Sequence, residues 1–117
     1  MLEKAKYIVI EGPIGAGKTS LARRLAERLN AQPILEQPER NPFLSRFYSE
    51  RERWALATQI EFLFQRTELL AEISTALQQG QRVISDFILE KDPLFANINL
   101  SEDETRLYER VFGQLRP

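Results

Sequence analysis

Eight consecutive residues near the N-terminus, Gly12-Pro13-Ile14-Gly15-Ala16-Gly17-Lys18-Thr19, constrain this chain more than anything else in it, because they match G-x-x-x-x-G-K-[ST] in full. Such a loop needs a strand to deliver it and a helix to leave by. Tyr7-Ile8-Val9-Ile10 is a short apolar, β-branched run that reads as a buried parallel strand. From Lys18 to Leu29 the residues Leu21, Ala22, Leu25, Ala26 and Leu29 recur at helical spacing, with arginines and Glu27 on the other face. The glycines let the backbone turn its N–H groups toward phosphate oxygens, and the helix N-terminus adds the positive end of its dipole. Gly12 to Ser20 are therefore expected to hold the phosphates of a nucleoside triphosphate. Lys18 should reach the β- and γ-phosphates, and Thr19 should offer its hydroxyl to Mg²⁺.

The rest of the chain continues the alternation of strand and helix. Pro33-Ile34-Leu35-Glu36 is a second strand candidate, and residues 37–42, with two prolines and an asparagine, read as loop. Phe43 to Tyr48 suits a short helical turn. A long helix is expected from about Arg51 to Gln79, with Gly80 as its stop. Arg82-Val83-Ile84-Ser85 is a third strand that ends at Asp86. Ile88 to Leu100 reads as irregular helix interrupted at Pro93, and Ser101-Glu102-Asp103-Glu104 is a capping box opening a helix to about Leu115. This order predicts an α/β fold: a P-loop NTPase-type parallel sheet with flanking helices, in a single domain of residues 1–117. Only three strands are visible, where doubly wound nucleotide-binding sheets have five or more, so the domain is expected to be truncated after them.

Composition narrows the chemistry. With no cysteine and no histidine, acid–base work falls to carboxylates, lysine or tyrosine. The net charge of −1 gives no electrostatic argument for a nucleic acid polymer or an anionic membrane. No apolar run approaches the ~20 residues of a membrane span. The first residues, Met1 to Lys4, lead straight toward a strand with no signal peptide, which makes the cytoplasm the default compartment. On the long helix, Leu56, Ile60, Leu63, Leu70 and Leu77 form one apolar stripe, and Phe62, Leu69 and Ile73 a neighbouring one. Gln59 and Arg66, two turns apart, fall in the second stripe, where polar groups need partners. Glu61, Gln65, Glu68, Glu72 and Gln79 are expected on the solvated side.

The run Ile10-Glu11-Gly12-Pro13-Ile14-Gly15-Ala16-Gly17-Lys18-Thr19 resembles the opening of the deoxynucleoside kinases. The likeness continues through Glu36, Asn41-Pro42-Phe43-Leu44, Phe47-Tyr48, Arg53-Trp54, Thr58-Gln59, Phe62-Leu63 and Arg66. It resumes at Ser85-Asp86-Phe87 and Lys91-Asp92-Pro93-Leu94-Phe95-Ala96. The resemblance implies phosphoryl transfer from ATP to the 5′-hydroxyl of a deoxynucleoside, as in nucleotide salvage, and a homodimer for the full-length form. It implies Glu36 as the base that takes the hydroxyl proton, with Lys18 stabilising charge and Asp86 joining Thr19 at Mg²⁺. It implies Gln59 and Arg66 at the nucleobase edge, Tyr48 at the sugar 3′-hydroxyl and Phe62 in the pocket wall. Asp92, rather than Lys91, should partner Arg66, because a carboxylate can hold a guanidinium through two hydrogen bonds. That pair leans toward deoxyadenosine, deoxyguanosine or deoxycytidine over thymidine. Two departures stand out. Many members follow the third strand with an acidic residue, arginine and serine, where this chain has Asp86-Phe87-Ile88. The likeness also ends at Arg116-Pro117, before the family's phosphate-clamping lid. Two alternatives follow: a catalytically incomplete nucleotide-binding fragment, or another P-loop kinase such as a thymidylate kinase.

Overall fold

The computed structural model describes residues 6–12 and 17–115. Pro13, Ile14, Gly15 and Ala16 of the phosphate loop lie outside the described residues. The chain falls into two compact units: residues 1–36 with 68–88, and residues 37–67 with 89–117. Among the described residues, no helix is long and apolar enough to cross a membrane.

The first unit is built on three parallel strands, β1 (Tyr7–Val9), β2 (Gln32–Ile34) and β3 (Val83–Ser85), in the order β1-β3-β2. Tyr7, Ile8 and Val9 pair with Val83, Ile84 and Ser85, and Gln32, Pro33 and Ile34 pair with the same three residues from the other side. The central strand is buried throughout, because consecutive side chains point to opposite faces and a helix covers each face. On one face α1 (Lys18–Leu29) brings Ala22 and Ala26 against Ile84 and Leu35. On the other, Ile73 and Ala76 pack on Val83, Ile34 and Phe87. They come from α3 (Arg51–Gln78), whose residues 68–78 belong to this unit. Burying a side chain such as Val83 or Ile84 contributes roughly 1.5–3 kcal/mol.

Two glycines make the helix ends possible. Gly17 enters α1 at φ 77° and Gly80 follows α3 at φ 82°, both in the left-handed region. After α3, the Gly80 N–H donates to Leu77 O and the Gln81 N–H to Ala76 O, which closes the expected stop.

Two expectations about this unit change. The strand expected at Tyr7–Ile10 is only half-buried, with Tyr7 exposed, because no strand among the described residues covers its outer edge. The second strand lies at Gln32–Ile34 rather than Pro33–Glu36, so Glu36 stands two residues beyond it. The ladder stops there because the Glu36 N–H donates to a side chain, Asp86 Oδ1, at 2.9 Å. Pro33 is tolerated within β2 because that strand is an edge.

The second unit is helical. It holds a 3-10 turn at Pro38–Arg40, α2 (Leu44–Ser49), residues 51–67 of α3, a second 3-10 turn at Leu89–Lys91, α4 (Asp92–Asn99) and α5 (Glu102–Leu115). Asn41 ties its start together. Its amide donates to Thr58 O at 3.0 Å, its Oδ1 accepts the Phe43 N–H at 3.0 Å, and the Thr58 hydroxyl lies 3.4 Å from Phe43 O. Pro93 opens α4 instead of interrupting a helix, since a proline in the first turn has no N–H to waste. The capping box forms as expected: the Ser101 N–H donates to Glu104 Oε1 and the Glu104 N–H to Ser101 Oγ. Along α3 the buried line runs through Ala55, Thr58, Gln59 and Leu63, while Leu56 and Ile60 stay half-buried. Glu61 and Gln65, expected in solvent, are half-buried too, joined by a 2.9 Å hydrogen bond one helical turn apart.

Candidate functional site

Parallel strands gather their C-terminal ends along one edge of a sheet, where open α/β sheets bind their ligands. In the first unit this edge collects five of the residues singled out in the sequence. β1 leads to Gly12, β2 to Glu36 and β3 to Asp86, while α1 begins at Lys18 and Thr19. Asp86 is buried at the centre of this group. Its Oδ1 accepts the Glu36 N–H, and its Oδ2 lies 3.4 Å from the Thr19 hydroxyl. The Asp86 carbonyl accepts from Lys18 Nζ at 3.2 Å. One side chain thus fixes the start of the loop after β2 to the end of β3, and sets a carboxylate beside the first turn of α1. Ser20 follows in that turn, exposed.

Thr19 and Asp86 present two hard oxygen donors side by side. That set suits Mg²⁺, which takes one or two protein oxygens and fills its octahedron with water and phosphate. Among the described residues no cluster of three or more acidic, histidine or cysteine side chains forms a fuller cage.

The second unit gathers a different group. Arg66 on α3 donates through Nη1 to Asp92 Oδ1, so the pairing read from the sequence is made. The Arg66 side chain keeps 14% of its exposure, whereas that of Asp92 has none. Phe62, one turn before Arg66, lies under its guanidinium at 5.0 Å. Gln59 is buried on the same arc, and its Oε1 accepts from Asn99 Nδ2 at 3.4 Å. Tyr48 sits apart from this set, 65% exposed at the end of α2, with its ring tilted against Phe47. Trp54 is an arginine platform: Arg46 and Arg53 lie over its ring at 4.9 and 5.4 Å, Phe43 stacks on it, and its Nε1 donates to Glu50.

Two members of this second group escaped the sequence reading. Tyr108 on α5 is fully buried and donates its hydroxyl to Asp92 Oδ2. Burial first, and then the hydrogen bond and negative charge of Asp92, push its phenol well above the usual tyrosine range, with Arg66 opposing. It therefore remains a donor at any working pH. Asn99, at the end of α4, also donates to Phe95 O. The signal for Tyr108 was present as Tyr108 and Phe112 one turn apart on α5, since a tyrosine among apolar residues needs a partner for its hydroxyl.

The family model described as deoxynucleoside kinase matches residues 8–115. Among curated proteins the chain is similar to a deoxyguanosine kinase of Bacillus subtilis, 37% identical over 115 residues, covering 97% of this chain and 56% of that protein. It is 32% identical over 117 residues to a deoxyadenosine/deoxycytidine kinase of the same organism, covering 95% of this chain and 52% of the relative. A deoxyguanosine kinase of Lactobacillus acidophilus is 39% identical over 114 residues, covering 92% and 48%. The chain spans about half the length of these relatives. A solved structure of a deoxyadenosine kinase from M. mycoides, with products dCMP and a flexible dCDP bound, has the same fold. Its TM-score is 0.76 at 20% identity, covering 92% of this chain and 56% of that one.

Proposed function

The chain belongs to the deoxynucleoside kinase family, and from that premise we propose that the protein transfers the γ-phosphoryl group of ATP to the 5′-hydroxyl of a deoxynucleoside. The observation that supports this best is the convergence of Lys18, Thr19 and Glu36 at the C-terminal edge of the sheet on one buried residue, Asp86, through its main-chain carbonyl and its carboxylate. Phosphoryl transfer asks a protein mainly for positioning and for charge placed where charge develops. Lys18 meets the β- and γ-phosphates, which the loop of residues 12–20 cradles with its N–H groups. Mg²⁺, held by Thr19 and Asp86, supplies further neutralisation of the phosphates when bound. Glu36 accepts the proton that the 5′-hydroxyl loses as it attacks. A carboxylate is the natural base in a chain without histidine.

The acceptor is chosen by the second group. Gln59 pairs with the base edge through its amide, Arg66 offers donors to base acceptors, and Asp92 holds Arg66. Phe62 forms a wall of the pocket, and Tyr48 takes the sugar 3′-hydroxyl. The Arg66–Asp92 pair, a donor beside an acceptor, leans toward deoxyadenosine, deoxyguanosine or deoxycytidine over thymidine. The full-length form is a homodimer on this reading.

Substituting Gln59→Leu tests the assignment with little change in volume. The expected result is a rise of roughly 10- to 100-fold in KM for the deoxynucleoside, as a base edge is left unpaired, with KM for ATP unchanged. Unchanged KM for every deoxynucleoside would remove Gln59 from the base site.

A further inference from the structure

A carboxylate that serves as a holder for another side chain must itself be held. The torsion about Cβ–Cγ of an aspartate is broad and roughly two-fold, so a single partner leaves the plane of the group poorly defined. Asp92 has two partners on different helices. Arg66 of α3 donates to Oδ1, and Tyr108 of α5 donates to Oδ2. Tyr108 is 1% exposed, so water does not compete for this contact. Its ring is clamped against Phe112, with centroids 6.1 Å apart and planes at 30°. The helix that carries both rings is fixed at its start by the reciprocal Ser101–Glu104 cap.

We propose that Tyr108 is a positioning residue for base selection, whose hydroxyl fixes the plane of the Asp92 carboxylate and through it the aim of the Arg66 guanidinium. This rests on the reading of Gln59, Arg66 and Asp92 as the group that selects the base. Tyr108 touches no substrate in this account. It acts through the order it gives to Asp92, so its effect belongs to nucleoside binding and choice rather than to the phosphoryl-transfer step. A hydrogen bond to a charged partner is also the strong kind, so losing it leaves Asp92 both less ordered and less well satisfied.

The test is Tyr108→Phe in the protein at its full natural length, with Phe112→Leu as the packing control. Steady-state kinetics are measured with all four deoxynucleosides, beside melting temperatures. For Tyr108→Phe the expected result is a rise of roughly tenfold in KM for the preferred deoxynucleoside, with kcat and KM for ATP little changed. The preference over the poorest deoxynucleoside narrows by a similar factor. Phe112→Leu lowers the melting temperature and leaves that preference as it was. If Phe112→Leu narrows the preference equally, the role of Tyr108 is packing and the proposal fails. If Gln59→Leu shifts nucleoside KM while Tyr108→Phe does not, the proposal fails and the base-site reading stands. If neither variant shifts it, both fail. Should Tyr108→Phe not fold, Tyr108→His, which keeps a ring with an N–H donor, is measured by equilibrium binding of the four deoxynucleosides. A narrowed preference is expected, because the shorter side chain no longer reaches Asp92 Oδ2 in the same place, and an unchanged preference overturns the proposal.

Discussion

Glu36→Gln lowers turnover by roughly 10²- to 10⁴-fold, the usual contribution of a general base, while ATP affinity stays within about twofold. The two halves of this expectation come from different atoms. Glutamine keeps the shape of glutamate but cannot take the 5′-hydroxyl proton. The contact that anchors this position, from its N–H to Asp86 Oδ1, belongs to the main chain and survives the substitution. Lys18 and Thr19 keep their own contacts with Asp86 and are untouched. Single-turnover phosphoryl transfer and equilibrium binding of ATP separate the two effects. Wild-type turnover would show that the base is another group. A parallel loss of ATP affinity would show that the side chain of Glu36 shapes the phosphate site instead.

The second large effect is on stability. Asp92→Ala removes the carboxylate that satisfies both Arg66 and Tyr108. Breaking a buried ion pair from one side costs about 3–5 kcal/mol, because the remaining charge loses the partner that offset its desolvation. Here the lower end applies, about 3 kcal/mol, since the Arg66 side chain retains 14% exposure and water can reach part of it. The orphaned Tyr108 hydroxyl adds to the loss, though not independently. Against the ~5–15 kcal/mol that holds a typical domain together, this is a large fraction. Urea unfolding followed by circular dichroism should show a lower midpoint at little-changed slope. A midpoint within experimental error of wild type would mean that the Arg66–Asp92–Tyr108 group does not contribute to stability.

Features with a local signature were legible in the sequence. The strand and helix that flank residues 12–17, the capping box at Ser101–Glu104 and the stop at Gly80 each depend on a few neighbouring residues. The Arg66–Asp92 pair spans 26 positions and was reached through the family resemblance together with the chemistry of a carboxylate facing a guanidinium. What the sequence hid depends on groups far apart along the chain. The end of β2 is set by Asp86, fifty positions after Glu36, whose side chain takes the N–H that a continued ladder would have used. Tyr108 meets Asp92 across two helices, and nothing in the local pattern of either names the other. Pro93 was misread for a different reason: proline breaks a helix interior yet suits a first turn, and only the backbone shows which position it holds.

The identity of the acceptor separates this account from that of a P-loop kinase acting on nucleoside monophosphates. The direct measurement is transfer of labelled γ-phosphate from ATP to the four deoxynucleosides and, in parallel, to their 5′-monophosphates, using the protein at its full natural length. Labelled 5′-monophosphates are expected from one or more of the deoxynucleosides, with thymidine the poorest, and no labelled diphosphate from the monophosphates. Labelled diphosphates, with all four deoxynucleosides inert, would contradict that expectation.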